Sequence, residues 1–208
     1  MSALGNDPPD PDIARTRAFF GPRAATWEDR FPDDDPSYQQ AVGELAAPAG
    51  GAVLDVACGT GRALPALRAA VGPAGTVLAV DLTGEMLAEA ARRGRAGVAA
   101  LVLADATRLP LPAGSLDAVF AAGLIAHLRD PTAGLAELAR VCRPGGRLAL
   151  FHPIGRAALA RRHGHEPSDD DIRAAGRIRP ALAAAGWRCD SVDDAEHRYL
   201  VLATRAAG

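Results

Sequence analysis

The apolar positions of this chain fall into short unbroken runs, separated by amphipathic stretches and punctuated by Gly, Pro and Asp. The run Ala52 to Val56 feeds the small-residue turn Ala57-Cys58-Gly59-Thr60-Gly61. That pattern predicts a buried parallel strand and a tight loop, with a helix over Arg62 to Val71. Thr76 to Val80 ending at Asp81, Val98 to Ala104 ending at Asp105, Leu116 to Ala121, and Arg147 to Phe151 predict four further strands. Helices are expected from a Thr83 cap to Arg93 and over Pro131 to Val141, with Arg143-Pro144-Gly145-Gly146 as a turn. Strands alternating with helices at this rhythm predict a sheet covered on both faces.

The two ends of the chain read differently. Residues 1–12, rich in Pro and Asp, predict a disordered tail. Ile13 to Phe31 predicts two helical pieces broken at Gly21-Pro22, and Pro36 to Ala47 a helix after the acidic turn Asp33-Asp34-Asp35. Ser168 with Asp169, Asp170 and Asp171 marks a helix start running to Ala185. Trp187 to Ser191 and His197 to Thr204 then predict a hairpin joined by an acidic loop. The fold class expected is α/β: a doubly wound, mostly parallel seven-stranded sheet with a C-terminal antiparallel hairpin, forming one domain over residues 13–208.

Composition narrows the chemistry. The chain has 208 residues, 49% of them hydrophobic, enough for a sizeable core. A net charge of −2 does not mark a nucleic-acid partner. All 23 basic side chains are arginine, which excludes a P-loop lysine and a Schiff-base lysine. No apolar run reaches the roughly 18 residues of a membrane span, and residues 1–10 lack the marks of a signal peptide, so a cytoplasmic protein is expected. Cys58, Cys142 and Cys189 are widely spaced and read as buried or half-buried free thiols, with no disulfide or zinc pattern.

Asp55, Asp81 and Asp105 fall at the carboxyl ends of three successive predicted strands, the edge where open α/β sheets bind ligands. Asp81 lies 20 residues after Gly61, the separation that sets a carboxylate against ribose hydroxyls. Leu82 and Met86 offer an apolar surface for a base, and Asp105 a partner for an exocyclic amine. Together they describe an adenosine site; singly, each acid could equally cap a helix or satisfy loop amides.

These residues resemble the class I S-adenosylmethionine-dependent methyltransferases of the small-molecule, minimal seven-strand type. V-L-D-V-A-C-G-T-G at 53–61, Val80-Asp81, L-A-D-A-T-R-L-P-L-P-A-G-S-L-D-A-V-F at 103–120 and L-A-R-V-C-R-P-G-G-R-L at 138–148 carry the likeness. The resemblance implies S-adenosyl-L-methionine as cofactor. Asp55, Ala57, Gly59 and Gly61 would surround its methionine part, Asp81 hold the ribose, Leu82 pack on the adenine, and Asp105 with the Ala106 amide read the adenine edge. Ala122 would sit near the methionine chain and Arg23 near its carboxylate. Ala57 departs from the family, which more often has Gly there; weaker or equal binding is expected.

The acceptor side is less legible. His127 and His152 follow the fourth and fifth strands and are candidate bases, each with a structural reading beside the catalytic one. His163, His165 and Glu166 read as a solvated loop and not as metal ligands. Aromatic residues make up 4% of the chain, yet Phe19, Phe20, Trp27 and Phe31 share one short span. They predict a lid over residues 13–47 that shapes the acceptor pocket with Phe20 and Trp27, or else a segment pinned to the core. The partner expected is a small-molecule methyl acceptor; the sequence does not set the oligomeric state. Two alternatives remain at this point, a non-catalytic binder of the same cofactor and an NAD(P)-dependent oxidoreductase. Against the latter, Leu64 occupies the third glycine position of G-x-G-x-x-G, and no Tyr-x-x-x-Lys pair exists.

Overall fold

A computed structural model describes residues 11–207. The expected tail lies outside the described residues except for Pro11 and Asp12, which already belong to helix α1 (Pro11–Phe20). Two 3-10 turns, Gly21–Thr26 and Glu28–Arg30, continue from it, so the break falls at Gly21-Pro22. Then come α2 (Asp35–Leu45), β1 (Ala52–Val56), α3 (Leu64–Val71), β2 (Thr76–Asp81), α4 (Gly84–Arg92), β3 (Ala100–Leu103) and β4 (Leu116–Ala122). The chain finishes with α5 (Pro131–Val141), β5 (Cys142–His152), α6 (Arg156–Arg162), α7 (Ala175–Ala184), β6 (Trp187–Ala195) and β7 (Arg198–Arg205). No helix among the described residues is long and apolar enough to cross a membrane.

The seven strands form one sheet in the order β3-β2-β1-β4-β5-β7-β6. β7 runs against its neighbours β5 and β6, while the other pairs are parallel. Successive side chains of a strand point to opposite faces, and the core divides accordingly. Val53, Ala118, Phe120, Ala149 and Phe151 pack with Val42, Leu45, Leu64 and Leu67 of α2 and α3. Leu54, Val119, Ala121, Leu148 and Leu150 pack with Leu135, Leu138, Ile178 and Leu182 of α5 and α7. The strand order reverses between β1 and β4, which opens a crevice at their carboxyl ends.

The structure corrects four local expectations. The helix expected from Ser168 begins at Ala175, because the acids close turns instead: the Asp170 amide donates to Ser168 Oγ, and Asp171 takes the Arg173 amide and guanidinium. The Arg143-Pro144-Gly145-Gly146 turn is a bulged start of β5, Leu116 facing Cys142 and Ala118 facing Arg147. The acidic loop of the hairpin is strand, since Asp193 and Asp194 lie on the β6 edge and bond Arg198 and Arg156. Thr83 occupies the N-cap of α4 but makes no side-chain cap.

Candidate functional site

A cavity of about 1190 Å³ lies across the carboxyl ends of the strands, under α1 and the two 3-10 turns. That exceeds the roughly 300–1,000 Å³ typical of a pocket for one small ligand. Residues from β1, β2 and the loops after β3 and β4 line one half. Residues from β5, β7, α2 and the N-terminal segment line the other.

In the first half Asp55 is 1% exposed, and neither carboxylate oxygen has a hydrogen-bond partner. Burial, and then the neighbouring Asp81, push its pKa well above the usual carboxylate range, partly offset by Arg95. A buried acid without donors is costly unless a ligand supplies a partner. Asp81 is braced: Gly59 N–H donates to Oδ2 and Thr83 N–H to Oδ1, both at 2.8 Å. Burial raises its pKa against these two amides. A carboxylate has about four lone-pair sites, so the braced acid can still accept from a diol. Asp105 accepts from the Thr107 amide and hydroxyl through Oδ1, each at 2.8 Å. Leu82, Met86, Asp105, Ala106 and Ala122 all line this half.

The glycine loop shows why its residues are small. Gly59, at φ +55°, has nothing within 4 Å of where a Cβ would stand, so the space above its backbone is open. Ala57 holds φ +57°, a left-handed conformation that explains why glycine suits this position. Gly61 does not line the cavity. At φ +81° its missing Cβ would meet Leu64 Cδ1 at 2.6 Å, so it permits the loop to pack.

Arg23 also departs from expectation. It is outside the cavity wall, its guanidinium 4.1 Å over the Phe19 ring and Nη1 donating to Phe19 O. The cation that lines the loop is Arg62, which donates to the Phe31 carbonyl at 2.7 Å and pairs with Asp35 at 3.0 Å. Glu28 is a second residue unmarked by the sequence reading. Its carboxylate, 11% exposed, accepts from Thr60 Oγ1 at 2.7 Å and Arg93 Nη1 at 2.9 Å, and pairs with Arg95. Burial raises its pKa, but Arg95, Thr60 and Arg93 together hold it below the ordinary value. Arg17 Nε donates to Leu82 O at 2.9 Å. The N-terminal segment is thus tied to the glycine loop at several points. A charged residue 32 to 67 positions before its partners left no local signal in the sequence.

In the second half, Phe19, Phe20, Trp27 and Phe31 line the wall and form a chain of ring contacts with centroids 4.9–5.5 Å apart. Phe20 meets His127 edge-on at 5.4 Å. Burial, then Arg173, lowers the pKa of His127. Burial also lowers that of His152, against the Ile154 backbone and with help from Arg173 and His127. His152 Nδ1 lies 2.9 Å from the Ile154 carbonyl and 3.2 Å from the Ile154 amide nitrogen, while no protein group bonds Nε2 among the described residues. His163, His165 and Glu166 follow α6 as exposed, non-helical residues, as expected of a solvated loop, and His163 also lines the cavity.

Comparison with known proteins agrees with this geometry. The family model described as "Methyltransferase domain" matches residues 54–150. Residues 54–150 are therefore similar to that methyltransferase family, whose model spans just under half of this chain. It is 40% identical over 111 residues to nocamycin O-methyltransferase of Saccharothrix syringae, covering 51% of this chain and 39% of that one. It is 38% identical over 104 residues to the ubiquinone/menaquinone biosynthesis C-methyltransferase UbiE of Burkholderia mallei, covering 49% and 43%. The matched stretch therefore spans well under half the length of these curated relatives. A SAM dependent methyltransferase from Aquifex aeolicus superposes with a TM-score of 0.68 at 25% identity, over 95% of this chain and all of that one.

Proposed function

We propose that this methyltransferase domain uses S-adenosyl-L-methionine and transfers the methyl group to a small-molecule acceptor. The observation that carries the reading is Asp55, a buried acid with two unpartnered oxygens beside the open space over Gly59. A cationic ligand would supply both the donors and the opposite charge that Asp55 lacks, and Asp81, Leu82, Met86 and Asp105 supply the nucleoside side of the same cradle. When bound, the cofactor supplies an already activated methyl group. The chain then has to align the acceptor, exclude water and, where the acceptor is acidic, take a proton. Trp27, Phe20 and Phe31 close the cavity against solvent. The His152 imidazole, its pKa lowered by burial, is the base we assign to an acceptor held over β5.

Calorimetric titration with S-adenosylmethionine, S-adenosylhomocysteine and NAD, repeated on Asp81→Ala, tests the reading. Binding of both sulfur ligands, weakened in the variant and absent for NAD, supports it. Absence of both sulfur ligands refutes it.

A further inference from the structure

The acceptor half of the cavity has polar features of its own. Tyr199 is 1% exposed on β7, lines the cavity, and its hydroxyl has no hydrogen-bond partner. It stands directly across the sheet from His152 of β5, the two residues being partners in register. Opposite pairs in an antiparallel ladder put their side chains on the same face, with Cβ atoms about 5 Å apart. Burial, first of all, raises the Tyr199 pKa, so the hydroxyl keeps its proton and is a donor at neutral pH.

Arg173 completes the group. Its side chain, 15% exposed, lines the same cavity. Asp171 takes Nε and Nη2, the latter at 2.7 Å, and Nη1 makes no bond to any described residue. Its positive charge is felt at Tyr199, His127 and His152 alike. The acids on this side face cations: Glu196 pairs with Arg161, Asp194 with Arg156, and Asp34 lies in the field of Arg62 and Arg162. Beside the neutral imidazoles of His127 and His152, the groups without partners are two donors, the phenolic O–H of Tyr199 and the Nη1 edge of Arg173. The aromatic side chains of Trp27, Tyr38 and Phe151 line the same cavity.

We propose that Arg173 and Tyr199 form an oxyanion subsite that recognises a carboxylate on a planar, aromatic methyl acceptor. The proposal rests on the methyltransferase reading above, and it adds the acceptor's chemical class. A buried hydroxyl without a partner is destabilising in the empty protein, and a guanidinium edge matches a carboxylate in geometry and charge. With the carboxylate held over β7, the body of the acceptor extends across β5 past His152 toward the cofactor half.

The test uses the full chain saturated with S-adenosylhomocysteine and two probes of equal shape, benzoate and benzamide, followed by ligand-observed NMR titration. Benzoate is expected to bind about tenfold or more tightly than benzamide. Arg173→Gln should erase that preference, and Arg173→Lys should restore part of it. Tyr199→Phe should weaken benzoate several-fold while leaving thermal stability equal or higher, because no internal bond is lost. A hydroxyl that served packing alone would leave benzoate binding unmoved in this variant. Equal binding of the two probes to a chain that does bind S-adenosylhomocysteine overturns the subsite and leaves the methyltransferase reading intact. Failure of S-adenosylhomocysteine to bind overturns both.

Discussion

Asp55→Asn separates stability from cofactor binding. The wild-type carboxylate is fully buried, lacks donors, and has its pKa raised by burial and by Asp81. A pKa raised on folding gives stability that is fully present below the unfolded carboxylate value, about 3.9, and lost as pH climbs through the folded value. The amide keeps the shape and cannot ionise. The variant should therefore be more stable than wild type at about pH 8, with the difference closing near about pH 4. An unsatisfied buried polar group costs about 1–3 kcal/mol, and more when charged; the amide is still unsatisfied, so only the ionic part is recovered. A gain of about 1–2 kcal/mol corresponds to a rise of about 2–8 °C in Tm for a domain of this size. S-adenosylhomocysteine should meanwhile bind about ten- to a hundredfold more weakly, the worth of one charge-assisted hydrogen bond. Scanning calorimetry at the two pH values and a titration at the higher one measure both quantities. A variant no more stable than wild type at about pH 8, or one with undiminished affinity, would refute the reasoning.

Other consequences follow from the same contacts. Ala57→Gly relieves a left-handed alanine at φ +57° and should stabilise the fold by about 0.5–1 kcal/mol, read as a shift in urea midpoint at constant slope. Glu28→Gln should loosen the N-terminal segment, seen as faster amide hydrogen exchange over residues 11–31 with exchange in β4 and β5 unchanged. Because the Glu28 pKa is lowered on folding, its contribution is present above the unfolded value and lost as pH falls through the folded one. Wild-type exchange in this segment should accordingly rise in acid and the variant's should not. Trp27→Ala should lower both affinity for S-adenosylhomocysteine and turnover once an acceptor is found; unchanged values would leave the aromatic chain a packing feature only.

The sheet was legible in the sequence where burial on both faces leaves an uninterrupted apolar run, as in Val53-Leu54 and Phe120-Ala121, and where an Asp ends the strand at the ligand edge. The same logic brought Asp55, Asp81 and Asp105 to one cavity. It failed where an arginine claims an acid that the local pattern assigns to a cap or a loop. Asp193 and Asp194 read as loop because their ion pairs with Arg198 and Arg156 are invisible locally. Asp171 read as a helix start because an acid run after Ser168 is a capping pattern, and the same run serves equally for a turn closed by Arg173 two residues on. Arg23 was assigned to the cofactor on position alone, whereas its planar guanidinium found the Phe19 ring four residues back. Glu28 carries the anchoring of the N-terminal segment through Thr60, Arg93 and Arg95, residues that only the fold brings to it.

The central claim is that one cradle at the carboxyl ends of β1, β2 and β3 holds the cofactor. A crystal structure of the chain with S-adenosylhomocysteine tests it most directly. The account predicts the adenine against Leu82 and Met86 near Asp105, the ribose hydroxyls on Asp81, and the ammonium beside Asp55. Density for the ligand elsewhere on the protein, or an empty cradle at saturating ligand, would contradict it.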